Sequence, residues 1–439
     1  MLFGLFRLSV SMQVLLLALL GSFASTAGWR IADRILLNEV SAQQPQVRVF
    51  VDQVTTWPGS TPQTNTITLD TAPSALTEPA STIDPRFGRR HRGTTDRGFI
   101  DGRAPMLQLP DLSIVAAVFQ RTPAYVLTEP FRRLFVQEIG WDQCLFYSVG
   151  GFWTLLVWCL FGGAITRITA LRLGRQERVG LRDALAFARQ KWCSYFAAPV
   201  LPLLAIIFLG LPLMAIGIVM RLDIGVAIAG LLWIIVGLTG LGMAIFAIGL
   251  LFGWPLMWST VSTEGTDAFD AISRSYAYTY QRPLQYLLYV ALATTLGVAG
   301  WFLVAFFCDT MIGLTSWAIA WGAGASTLES VRTVLADSDS QSGRFFLPFG
   351  ANLIGLFTNC IRSFVTAYSY GFFWVAAAGI YLLLRHDTDQ TPIDDVYMTE
   401  DDELSLGLPN LAVDEAGVPG VAPADEVTAD EAKAARPEP

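Results

Sequence analysis

Residues 224–252 read IGVAIAGLLWIIVGLTGLGMAIFAIGLLF, a stretch without Asp, Glu, Lys or Arg. An α-helix needs roughly 20 apolar residues to cross the hydrocarbon core of a bilayer, and this stretch is longer than that. Outward along the chain, residues 145–166, 199–220 and 284–307 are equally free of those four residue types. Because a helix satisfies its own backbone hydrogen bonds in lipid, these stretches predict an all-α integral membrane protein.

The overall composition agrees with this interpretation. Hydrophobic residues make up 53% of the 439 residues and charged residues only 15%, whereas soluble domains carry about 25% charge. The formal net charge of −8 combines two opposite parts. Residues 387–439 contain 15 acidic and 2 basic residues, a net of −13, while the rest of the chain contains 22 acidic and 27 basic residues, a net of +5. The acidic character therefore belongs to the C-terminal tail.

The N-terminal residues 1–29 form a further apolar run. The small residues of Ser25-Thr26-Ala27 would suit the cleavage site of a signal peptide. Trp29 instead suits the membrane interface at the end of a retained anchor. We predict a transmembrane anchor over 1–29, with the signal peptide as the alternative.

The basic residues predict the orientation in the membrane. Residues 167–198 are the densest basic segment beside any predicted span, and short positive loops stay in the cytoplasm. This puts 167–198 and 253–283 in the cytoplasm and 30–140 outside the cell membrane. The middle of that outer region, 53–108, is rich in Thr, Pro, Gln and Ser, so we predict that the region is largely disordered.

The last apolar stretch, 345–384, is too long for one span. Its 40 residues would reach about 60 Å as a helix, twice the hydrocarbon thickness of a bilayer. We therefore predict an interfacial helix over 345–361 and a sixth span over 363–384, with a break near Arg362. The result is about six spans with both termini in the cytoplasm, followed by an acidic, disordered tail over 386–439.

Two segments of the predicted core, 141–385, resemble each other at a constant offset of 84 residues. The first reads Asp183-Ala184-Leu185 and reaches Pro199, and the second reads Asp267-Ala268-Phe269 and reaches Pro283. Each Asp suits the start of a helix, and each Pro suits its end. We therefore predict two amphipathic helices on the cytoplasmic membrane surface. Together with the flanking spans they form a parallel internal repeat, an arrangement also found in transporters.

The second amphipathic segment carries four candidate functional or interface residues. Asp267 is the predicted helix cap, and Asp270 and Arg274 have the four-residue spacing of an ion pair on a helix. Tyr276 belongs to an apolar stripe on another face of the same helix. A cap, a surface ion pair and packing explain these residues without a catalytic role.

Two further candidates lie in or beside the predicted spans. Ionisable side chains are costly in lipid and persist there mainly for function, which makes Arg362 a functional candidate. Asp309, just after a predicted span, is a candidate because it could share a pocket with Arg362. The alternative for Arg362 is an interfacial side chain that reaches toward water. The four charge-free runs also lack histidine, which disfavours proton relays and ion-coupled transport.

The sequence offers little catalytic or cofactor chemistry. Its two histidines, His91 and His386, lack partners at ligand spacing, and its five cysteines form no Cys-x-x-Cys motif. No nucleotide-binding loop or nucleophile elbow is present. The basic patch 86–92 lies in an unpatterned loop and is interpreted as solvated. We predict no enzyme activity, no metal site, no cofactor and no nucleic-acid partner.

The predicted partners are the lipid bilayer and, through the outer loop or the acidic tail, other proteins. Small residues four positions apart, Gly225 with Ala229 and Gly240 with Ala244, allow close contact between helices. Such contacts would serve either packing within one chain or a homo-oligomer.

The segment 264–276, EGTDAFDAISRSY, resembles an uncharacterised bacterial family of multi-pass membrane proteins, as do 253–258 (GWPLMW) and 380–385 (IYLLLR). This resemblance covers roughly residues 140–400. More distantly, the acidic-Gly start followed by Ala-Phe, Ala and Arg-Ser is similar to the non-catalytic membrane domain attached to some glycerophosphodiester phosphodiesterases. Both resemblances imply a multi-pass membrane architecture, and neither implies a catalytic residue.

We predict a non-catalytic component of the inner membrane that scaffolds or organises partners, because its spans are uncharged and soluble segments lie on both faces. The alternative is a permease or channel for a neutral or apolar solute, which the repeat suggests. A polar cavity between the repeats would favour the permease, and a bundle filled with apolar side chains would favour the scaffold. A membrane-embedded enzyme would need Arg362, Asp309 and Glu264 to meet in one pocket.

Overall fold

The computed structural model describes residues 2–37, 45–56, 123–134, 140–336, 346–398, 411–413 and 419–421. Helices dominate these ranges, as the all-α prediction requires. In chain order they are α1 (Leu2–Ser9), α2 (Met12–Leu36), α3 (Pro45–Thr55), α4 (Pro123–Leu134), α5 (Trp141–Gly174), α6 (Leu181–Gln190), α7 (Trp192–Val219), α8 (Asp223–Leu231), α9 (Trp233–Glu264), α10 (Ala268–Gln281), α11 (Pro283–Ala323), α12 (Ala325–Ala336) and α13 (Phe346–Asp389). Two short strands in the tail, β1 (Leu411–Val413) and β2 (Pro419–Val421), pair antiparallel.

Six of the described helices are long and apolar enough to cross a membrane: α2, α5, α7, α9, α11 and α13. In that sense the prediction of about six spanning helices is confirmed. Arg221 and Asp223 separate two consecutive charge-free runs, and so short a polar segment predicts a tight hairpin. The hairpin is present, since α7 ends at Val219 and α8 begins at Asp223. A turn at Leu232 separates α8 from α9, so residues 224–252 do not form one uninterrupted helix.

Helices α11 and α13 are longer than the spans predicted for them. They contain 41 and 44 residues, which correspond to about 62 and 66 Å. The break predicted near Arg362 is wrong, because α13 continues through this position. Helix α11 likewise continues past residue 307, where the charge-free run ends. Polar side chains do not by themselves interrupt a helix, and the Ser363 hydroxyl donates back to the carbonyl of Asn359 at 2.7 Å.

The short helices α6 and α10 occupy the two segments predicted to hold surface helices, but only α10 has the expected boundaries. Asp267 caps α10 by accepting a hydrogen bond from the N–H of Asp270 at 3.0 Å, and Pro283 is the first residue of α11. Helix α6 begins earlier, which leaves Asp183 in its first turn, and Pro199 lies inside α7. Proline is tolerated in such apolar helices because neighbouring groups satisfy the freed carbonyl.

Both short helices fold back along the long helix that precedes them. Helix α6 lies against α5, where Arg167 sits 4.2 Å from the ring centre of Phe187. Helix α10 lies against α9, where the hydroxyl of Ser275 donates to the carbonyl of Gly253 at 2.6 Å. Each long helix, its short helix and the next long helix therefore form one packed unit.

Three tryptophans from α5, α9 and α13 form the centre of the molecule. The indole rings of Trp258 and Trp374 stack with centroids 4.5 Å apart, and the Trp158 ring lies 5.9 Å from that of Trp374. Gly162 of α5 permits this approach, since a Cβ there would lie 2.8 Å from the Trp374 ring. Small residues allow such close helix contacts in membrane proteins.

Residues 207–252, which comprise the C-terminal half of α7, all of α8 and the N-terminal part of α9, extend from this centre as an apolar hairpin. Its large side chains are exposed, as Phe208 at 73% and Ile234 at 75% illustrate. An apolar surface of this extent is typical of a lipid or protein contact. We call this element the hairpin arm.

A smaller cluster lies at the other end of α2 and α5. Trp29 of α2 packs against Phe50 of α3 and Phe146 of α5, with ring centroids 5.3 and 5.1 Å apart.

Helix α2 continues past the predicted anchor boundary to Leu36. The region 30–140, predicted to be largely disordered, contains the helices α3 and α4. Of its middle, 53–108, residues 53–55 belong to α3, and residues 57–108 lie outside the described residues.

The acidic tail begins later than predicted. Helix α13 continues to Asp389, and the residues up to Met398 remain next to the bundle. Val396 is only 3% exposed because it packs against Leu171 of α5. The prediction of a structureless tail from residue 386 is therefore wrong for 386–398, and most of the remaining tail lies outside the described residues.

Candidate functional site

A partly buried ion network lies where α9, α10 and α13 meet. The carboxylate of Glu264 contacts Arg274 at 2.8 Å and Arg385 at 3.4 Å, and it accepts a hydrogen bond from the hydroxyl of Tyr381 at 2.6 Å. Asp270 contacts Arg274 at 3.3 Å. The side chains of Glu264 and Arg385 are each only 8% exposed. We call these five residues the Glu264 cluster.

The backbone around Glu264 explains why these groups meet. Helix α9 ends at Glu264 because Gly265 adopts a left-handed conformation, with φ of +64°, that closes the last turn. The chain then reverses, and the Asp267 cap starts α10, which carries Arg274 back along α9. Arg385 belongs to the last turns of α13. Two side chains of opposite charge, Glu264 and Arg385, therefore meet at the C-terminal ends of α9 and α13.

Residues 392–398, which we call the strap, cross the helix ends beside this cluster. Arg385 of α13 donates to the carbonyl of Asp395 at 2.6 Å and contacts its carboxylate at 3.0 Å. The N–H of Tyr397 donates to the carbonyl of Thr263 in α9 at 2.8 Å. The valine between these two strap residues is buried against α5. The strap therefore ties three helices together.

A layer of hydroxyl groups lies next to the cluster, deeper in the bundle. The hydroxyls of Tyr195 and Ser262 are 2.7 Å apart, and Ser262 also bonds Thr166. The guanidinium of Arg167 donates to the backbone carbonyl of Ser262 at 2.9 Å. These contacts supply partners to buried polar groups, as a stable interior requires.

The electrostatics of the Glu264 cluster are those of a structural network. Burial alone would lower the pKa of Arg274, but the carboxylates of Glu264 and Asp270 raise it above its usual value. Burial, and then the hydrogen bond to the Asp389 carboxylate, raise the pKa of Tyr278 on α10. The Glu264 carboxylate already engages two guanidinium groups and one hydroxyl, so it is poorly placed to act as a base.

Three of the predicted site residues lie together at this site. Asp270 and Arg274 form the predicted ion pair, and Asp267 is the predicted cap. Tyr276 faces the other way along α10, where its hydroxyl donates to the carbonyl of Phe246 at 2.9 Å. It therefore anchors α10 on α9 and contributes no charge to the site.

Local sequence patterns do not link Tyr381 and Arg385 to this site. Tyr381 bonds Glu264 from 117 residues away, and no spacing rule connects two such distant helices. One available signal is that Glu264 and Arg385 each end an apolar run. Two opposite charges at the same predicted membrane face are well placed to pair.

Arg362 and Asp309 lie far from the Glu264 cluster. Arg362 precedes Arg385 by 23 residues in the same helix, a separation of about 34 Å along the axis. Arg362 lies close enough to Asp309, on the neighbouring helix α11, for its positive charge to act on that carboxylate. Arg362, Asp309 and Glu264 therefore do not share the single pocket that an embedded enzyme would need.

A cavity of about 300 Å³ lies between α9, α11 and α13. Its walls include Leu256 of α9, Val290 and Ala293 of α11, and Phe372 and Ala376 of α13. All the described residues that line it are uncharged. This lining suits a hydrocarbon group better than a polar solute.

Comparisons with known proteins do not assign the chain to a family. No family model, curated protein or solved structure matches it. Within the residues that the structure describes, no three His, Cys, Asp or Glu side chains are grouped as a metal site would require.

Proposed function

We propose that this protein is a multi-pass protein of the inner membrane that holds partner proteins in place and catalyses no reaction. Its filled centre carries the proposal. Trp158, Trp258 and Trp374 are fully buried between α5, α9 and α13, where a path through the bundle would run. A channel for a polar solute needs polar groups or water along such a path, whereas aromatic rings close this one.

The arginines around α5 and α6 support a cytoplasmic location for the Glu264 cluster. Short basic loops stay in the cytoplasm, and this end carries Arg172, Arg175, Arg178 and Arg182. The N-terminal end of α2 lies here as well, since Gln13 bonds Arg172. The strap lies at the same end, so both termini are proposed to be cytoplasmic.

We also propose that the core is a duplicated unit. The order of a long helix, a short helix folded back on it and another long helix occurs in α5–α6–α7 and again in α9–α10–α11. The offset of 84 residues between Asp183 and Asp267 agrees with this order. The likeness of 264–276 to uncharacterised multi-pass proteins supports a place in that family.

The acidic tail is the proposed attachment point for partners. Residues 399–439 contain 11 acidic and 2 basic residues, a net charge of −9. The strap holds the start of this segment against the bundle, so a bound protein would be kept at the membrane surface. Basic partner surfaces are the expected complement, because charge complementarity speeds and directs association.

The test compares the full chain with a chain that ends at Met398, which keeps the strap. Both are crosslinked in membranes, purified in detergent and examined by mass spectrometry for attached proteins. We expect recovery of specific partners to fall by roughly tenfold in the shortened chain, while its melting temperature stays unchanged.

The same two proteins are reconstituted into liposomes that contain a neutral solute such as glycerol. We expect release at the rate of protein-free liposomes. Faster release by the full chain, together with no partner that depends on the tail, would overturn the scaffold proposal.

A permease for an apolar solute is the second candidate, and the cavity favours it. Its uncharged walls would accept a hydrocarbon, and it lies beside the apolar surface of α11. Transport of a fluorescent fatty alcohol across the liposome membrane, slowed by Val290→Trp, would support this function over the scaffold.

A further inference from the structure

The cavity between α9, α11 and α13 has the size and lining of a hydrocarbon site. Its volume of about 300 Å³ is at the lower end of the range for ligand pockets. Small residues create the space, with Ala293 and Gly297 on α11 and Ala376 on α13. A Cβ at Gly297 would lie 2.6 Å from the Phe372 ring, so this glycine allows the two helices to approach.

Four residues that line the cavity carry hydroxyl groups: Tyr286, Thr294, Tyr368 and Ser369. The hydroxyl of Tyr286 donates to the carbonyl of Phe252 at 2.6 Å, which joins α11 to α9 at one edge. Burying a polar group without a hydrogen-bond partner is costly. The hydroxyl of Ser369 likewise donates to the carbonyl of Val365 at 3.1 Å. Because two of the four hydroxyls are engaged and none of the described lining residues is charged, an apolar occupant fits better than a polar one.

The cavity adjoins an apolar surface that faces outward. On α11, Leu287, Leu288 and Leu292 lie beside the lining residues and are 47%, 56% and 43% exposed. On α9, Leu251 is 58% exposed. In a bilayer this surface is covered by acyl chains, so a chain can enter the cavity without crossing water.

A cationic side chain stands near the edge that Tyr286 closes. Arg282 lies one helical turn before Tyr286, is exposed, and donates to the side-chain oxygen of Gln285 at 3.3 Å. Basic residues at the start of a span attract anionic headgroups. A phosphate at Arg282 would lie about one helical turn from Tyr286, which lines the cavity. An acidic group on this side is Asp387, whose carboxylate accepts a hydrogen bond from Gln285 at 2.6 Å.

We infer that the cavity holds one acyl chain of an anionic bilayer phospholipid whose phosphate lies at Arg282. The acyl chain gains little hydrophobic free energy when it enters the cavity, because the surrounding lipid is already an apolar solvent. It is held by van der Waals contacts that an empty void would lack and by the high lipid concentration around the protein. The site is independent of the scaffold role, since it needs no partner protein.

The test uses the full-length protein in nanodiscs that contain phosphatidylglycerol with a diazirine in its acyl chain. Illumination links the acyl chain covalently to nearby protein residues, and peptide mass spectrometry locates the site of attachment. We expect labelling of the α11 and α13 peptides that line the cavity. Val290→Trp fills the cavity and should lower this labelling roughly fivefold. Val226→Trp makes the same change on α8, where Val226 is 51% exposed, and should leave it unchanged.

Equal labelling of the cavity peptides in Val290→Trp and in the native protein overturns the inference. Arg282→Gln should lower labelling by about threefold, and unchanged labelling in this variant overturns the assignment to an anionic phospholipid. If Val290→Trp does not elute as a single species, Ala293→Leu provides a smaller filling. It should lower labelling by about twofold, and no decrease again overturns the inference.

Discussion

Helix α13 and the hairpin arm are both apolar, yet they have different surroundings. Within the most apolar window of each helix, 83% of the α13 residues are buried, against 11% in α7 and 6% in α9. Residues 371–382 of α13 read GFFWVAAAGIYL and consist mainly of small and aromatic residues, whereas the arm is rich in Leu and Ile. Lipid tails are as apolar as leucine, so a leucine surface gains little by leaving lipid.

Small and aromatic residues behave differently from leucine in this respect. Gly and Ala let two backbones approach, and a ring then fills the remaining space with many contacts. Gly162 beside Trp374 is an example. Hydrophobicity therefore identifies the spans, while residue size and aromatic content indicate which spans face protein.

The largest expected effect comes from the tryptophan centre. Trp374→Ala removes a fully buried ring and should lower the free energy of unfolding by about 3–5 kcal/mol. Trp233→Ala makes the same change on the hairpin arm, where Trp233 is 59% exposed, and should cost less than about 0.5 kcal/mol. Denaturant unfolding in mixed micelles measures both. Equal losses would contradict the contrast between a buried centre and an exposed hairpin arm.

A smaller loss is expected from the Glu264 cluster. Glu264→Gln removes the countercharge of Arg385, and breaking a buried pair costs about 3–5 kcal/mol. In this variant Arg385 still forms an ion pair with Asp395 of the strap, and Arg274 is 41% exposed to solvent. The expected loss is therefore reduced to about 2 kcal/mol.

The control for this variant is Asp270→Asn, which affects a pair that is 41% exposed on both sides. It should cost less than about 0.5 kcal/mol. The same unfolding measurement applies. A larger loss in Asp270→Asn than in Glu264→Gln would show that burial does not rank these contacts.

Alanine substitutions at two glycines, one in the centre and one in the hairpin arm, should change the stability of the protein in opposite directions. Gly162→Ala places a Cβ 2.8 Å from the Trp374 ring and should destabilise the protein by about 1–2 kcal/mol through overpacking. Gly240→Ala adds a methyl group on the hairpin arm, where nothing lies within 4 Å, and should stabilise by about 0.5 kcal/mol because alanine favours a helix. Melting temperatures that shift in the same direction would contradict this.

The smallest expected effect is a pH dependence at α4. Burial would raise the pKa of Glu129, but hydrogen bonds from Arg132 and Arg133 hold it below the usual value. A carboxyl of this kind stabilises the fold fully above its unfolded pKa of 4.5, and the stabilisation disappears as the pH falls through the lower, folded pKa. Since Arg132 is 69% exposed, the loss should stay below about 1 kcal/mol.

Thermal unfolding between neutral and acidic pH measures this dependence. The melting temperature should be constant at neutral pH and fall once the pH drops below the unfolded pKa. Glu129→Gln should have a lower melting temperature at neutral pH and a weaker fall in acid. A steeper acid-induced fall in Glu129→Gln would sink this account.

The sequence predicted features that local chemistry decides. The hairpin between α7 and α8 follows from two charged residues between apolar runs, Arg221 and Asp223. The cap at Asp267 and the pair of Asp270 with Arg274 follow from fixed helical spacings. Each of these features depends on residues within one or two turns, so no knowledge of the packing was needed.

Features that depend on distant packing could not be predicted in this way. Helices α11 and α13 pack against each other, for example at Gly297 and Phe372. This contact keeps both helices continuous, although each contains a polar residue that could have ended it. The Glu264 cluster needs Arg385, which pairs across two helix ends. The cavity likewise exists only between three helices that are far apart in the chain.

The length of α11 has a consequence beyond its own fold. A helix of 41 residues spans about 62 Å, and even a tilt of 40° leaves a reach of about 47 Å across a hydrocarbon layer of about 30 Å. Part of α11 must therefore lie outside a hydrocarbon layer of that thickness, and the C-terminal tip of the helix, where Trp321 is 80% exposed, is apolar. Whatever covers it lowers the free energy of the system, so this tip is where the purified molecule should begin to self-associate.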